Sequence, residues 1–569
     1  MEVKDSPRIE IEDSEAAAAA LQSLHKQPHW DLRVECVTTG ERFEVEALSM
    51  NGLGDDIRLS INPAGLTRER FDAGIRVHAN DNGETLLFTG ITVNAFHVEK
   101  DPAPLVIGKP KRVYVSNKRE STRIRLIGGM RALVQLQVYE DRNPGDARLV
   151  DLSLGGCAIE VPLRAGMLLK AGQQVAALFI EFPNGTRASL PAVVRHVKIA
   201  ERGSHACVGF SFATQDATRP HVVPRWLREM EREIAFRSGR GHSHLMQPSR
   251  LFLGGPDSPV TIRLDKQQQT PLTRATPMVD TLQGVARILG ETAIALRHEK
   301  ALPIERLHAG ARTVCNLLAE NRHDFLYALC CLDDQPALIQ HAIIVAGRLA
   351  DLVQSDDMLA PDVHEIAFAA LVHDFGNILT AGAQSCSEDT LITDPDAPCA
   401  EGHAGLLAAL GSAGSWAASG ARRAIIEALN MPDADPAQMP VAQQSLARAA
   451  YIVDTIDVIS RGLGGREAKP PLQIFRDLYQ ASNEADRQWL TRYMKRQGVY
   501  PIGSLVQYSS GFLAWVLRLG EDGQPSRIRV VRNAGNPRRL NQILGRADFG
   551  QIGTLDRPAL PQRFGLSPF

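Results

Sequence analysis

Long apolar runs are missing from this chain: none of its 569 residues sit in a stretch near the roughly 18 that a membrane-spanning helix needs. A surplus of either charge is missing too. The 63 Lys and Arg are balanced by 65 Asp and Glu, which argues against general nucleic-acid binding and insertion into a membrane. Its 8 cysteines form no CxxC pair, so a thiol zinc knuckle or a CxxC redox site is excluded. Several, such as Cys330-Cys331, lie in apolar stretches and read as small core residues of a reducing compartment. The first residues, MEVKDSPRIEIEDSE, are acidic and carry no secretory pattern; a cytoplasmic protein is expected. The length exceeds what one hydrophobic core supports, so several domains are expected.

The most informative stretch runs from Lys118 to Gly156. It opens Lys118-Arg119-Glu120-Ser121-Thr122-Arg123 and closes Asp151-Leu152-Ser153-Leu154-Gly155-Gly156, with the strand-like Ala132–Val138 between. Guanidinium groups grip phosphate oxygens through paired hydrogen bonds. Asp151 and Ser153, two apart on a strand, can present acceptors to one ligand edge, and a carboxylate suits the adjacent N–H donors of guanine. Gly155 and Gly156 permit a turn with positive φ and a close backbone approach. A ligand bearing both phosphates and guanine satisfies both halves.

These residues resemble the PilZ family, whose signature is RxxxR followed by [DN]xSxxG: Arg119 and Arg123 match the first part, and Asp151, Ser153 and Gly156 the second. The resemblance implies that cyclic di-GMP binds to Lys118, Arg119, Arg123, Asp151, Ser153, Gly155 and Gly156, with arginines on phosphates and Asp151 and Ser153 on guanine. Around this unit, 113–235, the chain divides as follows. Residues 1–28 read as a flexible tail. Residues 29–112 alternate apolar and polar, with a hairpin at Asp81-Asn82-Gly83-Glu84, and resemble in layout the N-terminal partner domain of flagellar-brake-type PilZ proteins. Lys109, Lys111, Arg112 and Lys118 suggest an electrostatic funnel for a dianionic ligand. Residues 236–275, rich in Gly, Pro and Gln, read as a linker; the histidines of Gly241-His242-Ser243-His244 have no metal-binding partners near them in sequence.

From 276 to 497 the period is helical. Val279, Leu282, Ala286, Leu289, Ala293 and Leu296 step by three and four, a seam for packing in the core, and the helices of 276–330 also offer a homodimer contact. Within this region lies Leu371-Val372-His373-Asp374-Phe375-Gly376-Asn377. An adjacent imidazole and carboxylate supply two ligands to one divalent metal, and His341, His403 and Asp454 can supply others. The His-Asp pair and the ending Gly498-Val499-Tyr500-Pro501-Ile502-Gly503-Ser504 resemble the HD-GYP family of cyclic di-GMP phosphodiesterases. The resemblance implies an all-α domain with a short β segment (498–535), then a tail (536–569), and metal ligands His341, His373, Asp374, His403 and Asp454, of which His373 and Asp374 are also the catalytic candidates. Departures from the family are marked. Asn377 replaces the HDxGK lysine, no histidine pair occurs near Ile425–Asn430, and Met431–Pro436 replaces the GYP signature.

The expected fold class is therefore multidomain α+β: two N-terminal β-barrels, the second PilZ, followed by an HD-type helical domain. The expected function is a cyclic di-GMP receptor whose degenerate, non-hydrolytic HD module engages a protein partner. The alternative is a PilZ-regulated phosphodiesterase using a reduced site with one divalent metal.

Overall fold

A computed structural model describes residues 8–25, 31–39, 41–50, 57–61, 71–81, 84–96, 103–117, 123–139, 144–200, 203–213, 222–238, 247–254, 276–380, 392, 400–412, 426, 441–536 and 538–568. The chain forms two units, 1–122 and 123–569.

The first unit is an antiparallel sheet of β1 (Arg8–Ile11), β2 (Asp31–Cys36), β3 (Arg42–Met50), β4 (Ile57–Ile61), β5 (Ile75–Asp81), β6 (Glu84–Ile91), β7 (Val93–Phe96), β8 (Ala103–Ile107) and β9 (Arg112–Asn117). Their order is β1-β9-β6-β5-β2-β3-β4-β8-β7. Alternation places Val34, Cys36, Ile57, Leu59, Ile61, Val77 and Phe88 on the buried face. The hairpin forms where expected, with Asp81 opposite Glu84. Four expectations are corrected. Among the described residues no pairing joins β1 to β7, so this sheet is not closed into a barrel. The segment read as a tail instead supplies β1, paired with β9, and helix α1 (Ser14–His25), whose Ala17, Leu21 and Leu24 are buried. The funnel lysine Lys109 is paired with Glu15 at 2.9 Å, and Arg112 with Glu12 at 3.3 Å. Because β9 belongs to this sheet, the unit ends near 122 rather than at 112.

The second unit begins with β10 (Ile124–Arg125), β11 (Leu133–Gln137), β12 (Gly145–Ser153), β13 (Gly156–Pro162), β14 (Gln174–Glu181), β15 (Arg187–Ile199) and β16 (His205–Phe212). β12 pairs with both β11 and β13, which closes a six-stranded barrel β12-β11-β14-β15-β16-β13 with β10 on its edge. Helix α2 (Val222–Arg237) seals it; Trp226 is fully buried, its ring edge-on to Phe182 with centroids 5.0 Å apart. Residues 247–254, within the expected linker, fold back on this helix: Ser249 N donates to Glu233 Oε2 at 2.8 Å.

The helices follow as α3 (Pro277–Arg297), α4 (Ile304–Glu320), α5 (Arg322–Leu329), α6 (Ala337–Val353), α7 (Val363–Val372), α8 (Ala400–Ser412), α9 (Val441–Arg461), α10 (Pro471–Ala481) and α11 (Glu484–Gln497). Thr276 caps α3, accepting from Val279 N, and Pro277 starts it. The α3 seam is buried inside the unit, at most 3% exposed from Val279 to Leu296, so it serves the chain's own core and is not a free dimer face. One hydrophobic core runs from the barrel into the helices. At the junction a Cβ on Gly290 would come within 2.8 Å of Ile199 and 2.9 Å of Leu163, both on the barrel side. Beyond α11 the sheet is longer than expected. Strands β17 (Leu505–Tyr508), β18 (Phe512–Leu519) and β19 (Pro525–Asn533) are joined by β20 (Gln542–Gly545) and β21 (Leu555–Ala559), in the order β20-β19-β18-β17-β21. The expected tail is thus built into the fold, and Tyr327 Oη donates to Pro568 O at 2.6 Å. No helix among the described residues is long and apolar enough to cross a membrane.

Asp351 on α6 holds three elements together. It is fully buried, accepts two bonds from Arg322 at 2.7 and 2.8 Å, and is met by Arg496 at 2.9 Å and Gln497 at 2.6 Å. Replacing it removes the carboxylate that pairs with two partly buried guanidiniums, Arg322 and Arg496. Asp351→Ala is expected to destabilise the second unit by about 3–5 kcal/mol, read as a lowered urea midpoint at unchanged slope.

Candidate functional site

Two constellations stand out, one at the open end of the barrel and one among the helices. At the barrel, Asp151 and Ser153 lie at the end of β12, and a bulge between Leu149 and Asp151 sets their direction. Asp151 Oδ1 accepts from Ala158 N at 3.0 Å and lies 3.7 Å from Arg123 Nη1. The two side chains are about a fifth exposed, 24% for Arg123 and 19% for Asp151, so both remain reachable. Arg123 and Asp151 are therefore brought together across nearly thirty residues of sequence. Lys118 and Arg119 lie outside the described residues.

Ser153 is nearly buried, and its hydroxyl donates to Gly156 O at 3.0 Å. In this arrangement the hydroxyl shapes the turn rather than facing outward beside Asp151. Gly155 is exposed in the turn. Neither Gly155 nor Gly156 has positive φ, contrary to the expectation from sequence. Gly156 is required for a different reason: a Cβ there would sit 2.0 Å from Phe210 O on the neighbouring strand. The glycine lets β13 approach β16 as the barrel closes.

The helical constellation is almost sealed from solvent. His341 on α6 is fully buried; His373 and Asp374, in a tight turn after α7, are 2% and 1% exposed; Asp454 on α9 is 6% exposed. His341 Nε2 lies 2.8 Å from Asp454 Oδ1 and 3.5 Å from Asp374 Oδ2. His373 Nε2 lies 3.6 Å from each of the same two carboxylates. Asp457, one turn beyond Asp454, was missed in the sequence. Its Oδ2 accepts from His341 Nδ1 at 2.8 Å, and Arg461 holds it at 3.3 Å. His373 Nδ1 has a carbonyl as partner, Ala370 O at 2.7 Å. Carboxylate and carbonyl oxygens only accept, so both Nδ1 atoms carry a proton and both Nε2 atoms face inward.

The chemistry of this donor set fits a divalent cation. Two imidazole nitrogens and two carboxylates converge, and each imidazole is oriented from behind. His341 Nε2 is buried and, although close to Asp454, makes no aligned hydrogen bond. Burial pushes the His341 pKa down, but Asp454 and Asp457 outweigh it and hold it up at about 10. Burial likewise pushes the Asp454 pKa up, and the two imidazoles overcome this, taking it down to about 2. Among the described residues His341, His373 and Asp374 are near enough to share one ion, with Asp454 beside them. His403 is buried on α8 and is not among the three. The α8 N-terminus meets the His-Asp turn by backbone: a Cβ on Gly376 would lie 2.2 Å from Gly402 O. Asn377, next after this turn, is buried.

Comparison with known proteins bears on the first constellation: residues 117–228 match the PilZ domain family. Several solved structures align with part of the chain. YcgR from Escherichia coli, solved with c-di-GMP, is 18% identical, with 41% of this chain and 96% of that chain covered at a TM-score of 0.29. MrkH of K. pneumonia, solved as a c-di-GMP complex, is 11% identical, with 41% and 99% covered and a TM-score of 0.29. The Bacillus subtilis inhibitor of motility MotI/DgrA is 13% identical, with 38% and 99% covered and a TM-score of 0.26. No curated protein matches the chain by sequence.

The orientation of His341 gives a test. In Asp457→Asn the amide can donate to Nδ1 and turn the imidazole proton inward. Manganese affinity, followed by the free-ion electron paramagnetic resonance signal, is expected to fall about 10- to 100-fold at an unchanged melting temperature.

Proposed function

We propose that the chain is a cyclic di-GMP receptor, in which binding at the PilZ domain is relayed to an HD-type helical domain that no longer hydrolyses the messenger and instead engages a protein partner in the cytoplasm. The observation that carries the receptor reading is Arg123 held 3.7 Å from Asp151 inside the matched domain. The pair is partly exposed and individually weak, so a phosphate can draw the guanidinium away and leave the carboxylate for the guanine edge. Lys118 and Arg119 would add to the phosphate grip, with Gly155 and Gly156 keeping the turn low beneath the ligand; Ser153 contributes by holding that turn.

Support for an HD-type ancestry is the convergence of His341, His373, Asp374 and Asp454 on one point. Loss of hydrolysis is supported by Asn377, an uncharged side chain where the family has a lysine cation. A second reading, a one-metal phosphodiesterase, is favoured by the same donor set, since a bound cation would lower the pKa of a water and polarise a phosphate.

Calorimetric titration of cyclic di-GMP separates these readings from a protein in which the motif is idle. Arg123→Ala should lose about 2–4 kcal/mol, or roughly 30- to 1000-fold in affinity. Equal binding by wild type and variant, or none by either, would end the receptor reading. With manganese added, the messenger should stay uncleaved; turnover that disappears in Asp374→Ala would instead establish the enzyme.

A further inference from the structure

The end of α3 touches, through one side chain, a segment leading away from each constellation. Arg297 Nη1 donates to Ile378 O at 2.9 Å, and its Nη2 lies 3.4 Å from Leu168 O. Ile378 lies two residues beyond the His373–Gly376 turn, in the helical turn Asn377–Thr380. Leu168 follows the short helix Leu163–Gly166, which continues from the end of β13, and β13 begins at Gly156 in the PilZ turn. A single planar fork therefore joins the segment that follows β13, at the end away from Gly156, to the segment that follows the His373–Gly376 turn.

Both anchor points are tightly seated. A Cβ on Gly166 would lie 2.3 Å from Ala206 Cβ, and a Cβ on Gly376 would lie 2.2 Å from Gly402 O. Leu163, at the start of the short helix, is buried against Gly290 of α3. Neither carbonyl can shift far without moving its neighbours, because close-packed interiors transmit displacement rather than absorb it. Lys170 and Glu299, paired at 3.3 Å, add a second but exposed tie at the same junction. That pair is screened by solvent, whereas the Arg297 fork is partly buried.

We propose that Arg297 couples the two sites, so that occupancy of the PilZ turn changes the affinity of the His-Asp cluster for a divalent cation, and the reverse. This rests on the reading above, in which the barrel takes cyclic di-GMP and the cluster takes a metal. Arginine is needed because its separate, coplanar N–H groups reach two carbonyls at once; a lysine ammonium keeps the charge without the fork.

The experiment uses the full chain, manganese(II) alone and cyclic di-GMP alone, then each at saturation of the other. Manganese is followed by electron paramagnetic resonance and the dinucleotide by calorimetry. Wild type should show a change of about 5-fold or more in manganese affinity on adding the dinucleotide. The dinucleotide's affinity must change by the same factor on adding manganese, since coupling between binding sites is reciprocal. In Arg297→Lys the factor should fall toward one while each separate affinity and the melting temperature stay near wild type. Arg297→Gln should behave alike, which separates loss of the fork from loss of charge. Two results overturn the proposal: both ligands bind wild type independently, or the factor survives in Arg297→Lys. Failure of either ligand to bind wild type at all would instead remove the underlying reading, and this inference with it.

Discussion

Burial of one continuous apolar surface governs the second unit. The barrel does not end in a sealed core of its own; its Leu163 and Ile199 pack on Gly290 of α3, and the same interior continues to Ile339 on α6. Each fully buried aliphatic side chain contributes about 1.5–3 kcal/mol, so separating barrel from helices would expose residues that water penalises. The barrel and helices therefore behave as one packed body, and small movements at its ligand turn have packed neighbours to move against.

Within that interior the chain accepts an expensive arrangement. Asp374, Asp454 and Asp457 are nearly sealed from solvent beside two imidazoles. Buried charges persist only where partners compensate them, and here α6, α7 and α9 each supply part of the compensation. Arg461 balances Asp457, Asp457 orients His341, and Ala370 O orients His373. A cluster kept only for packing would gain from apolar replacements. With both Nε2 atoms turned inward, the donor set instead fits a divalent cation.

How much of this was legible in the sequence depended on whether the signal was local. The acid–hydroxyl–glycine turn and the His-Asp pair are short motifs, and the structure brings Arg123 to Asp151 and His341 to Asp374 and Asp454. The reason for Gly156 was not legible: its constraint comes from Phe210, a residue more than fifty positions away, and leaves no trace in the turn itself. Asp457 was hidden because an acid one turn along an amphipathic helix looks like a solvated face. Ser14–His25 looked like a tail since alanines bury little that marks a core, and only pairing of β1 with β9 reveals its place. Likewise, Lys109 and Arg112 looked free until Glu15 and Glu12 were folded beside them.

The late return of β21 to pair with β17 has a consequence for the molecule's life in a crowded cell. β17 has β18 on one side and β21 on the other, and the segment through Pro568 is tethered by Tyr327. Proteolytic nicking after β20 would strip that cover and bare a row of unpaired amides and carbonyls on β17, a template for joining one copy to the next. The segment after β20 thus keeps covered a strand edge that would otherwise be open to pairing.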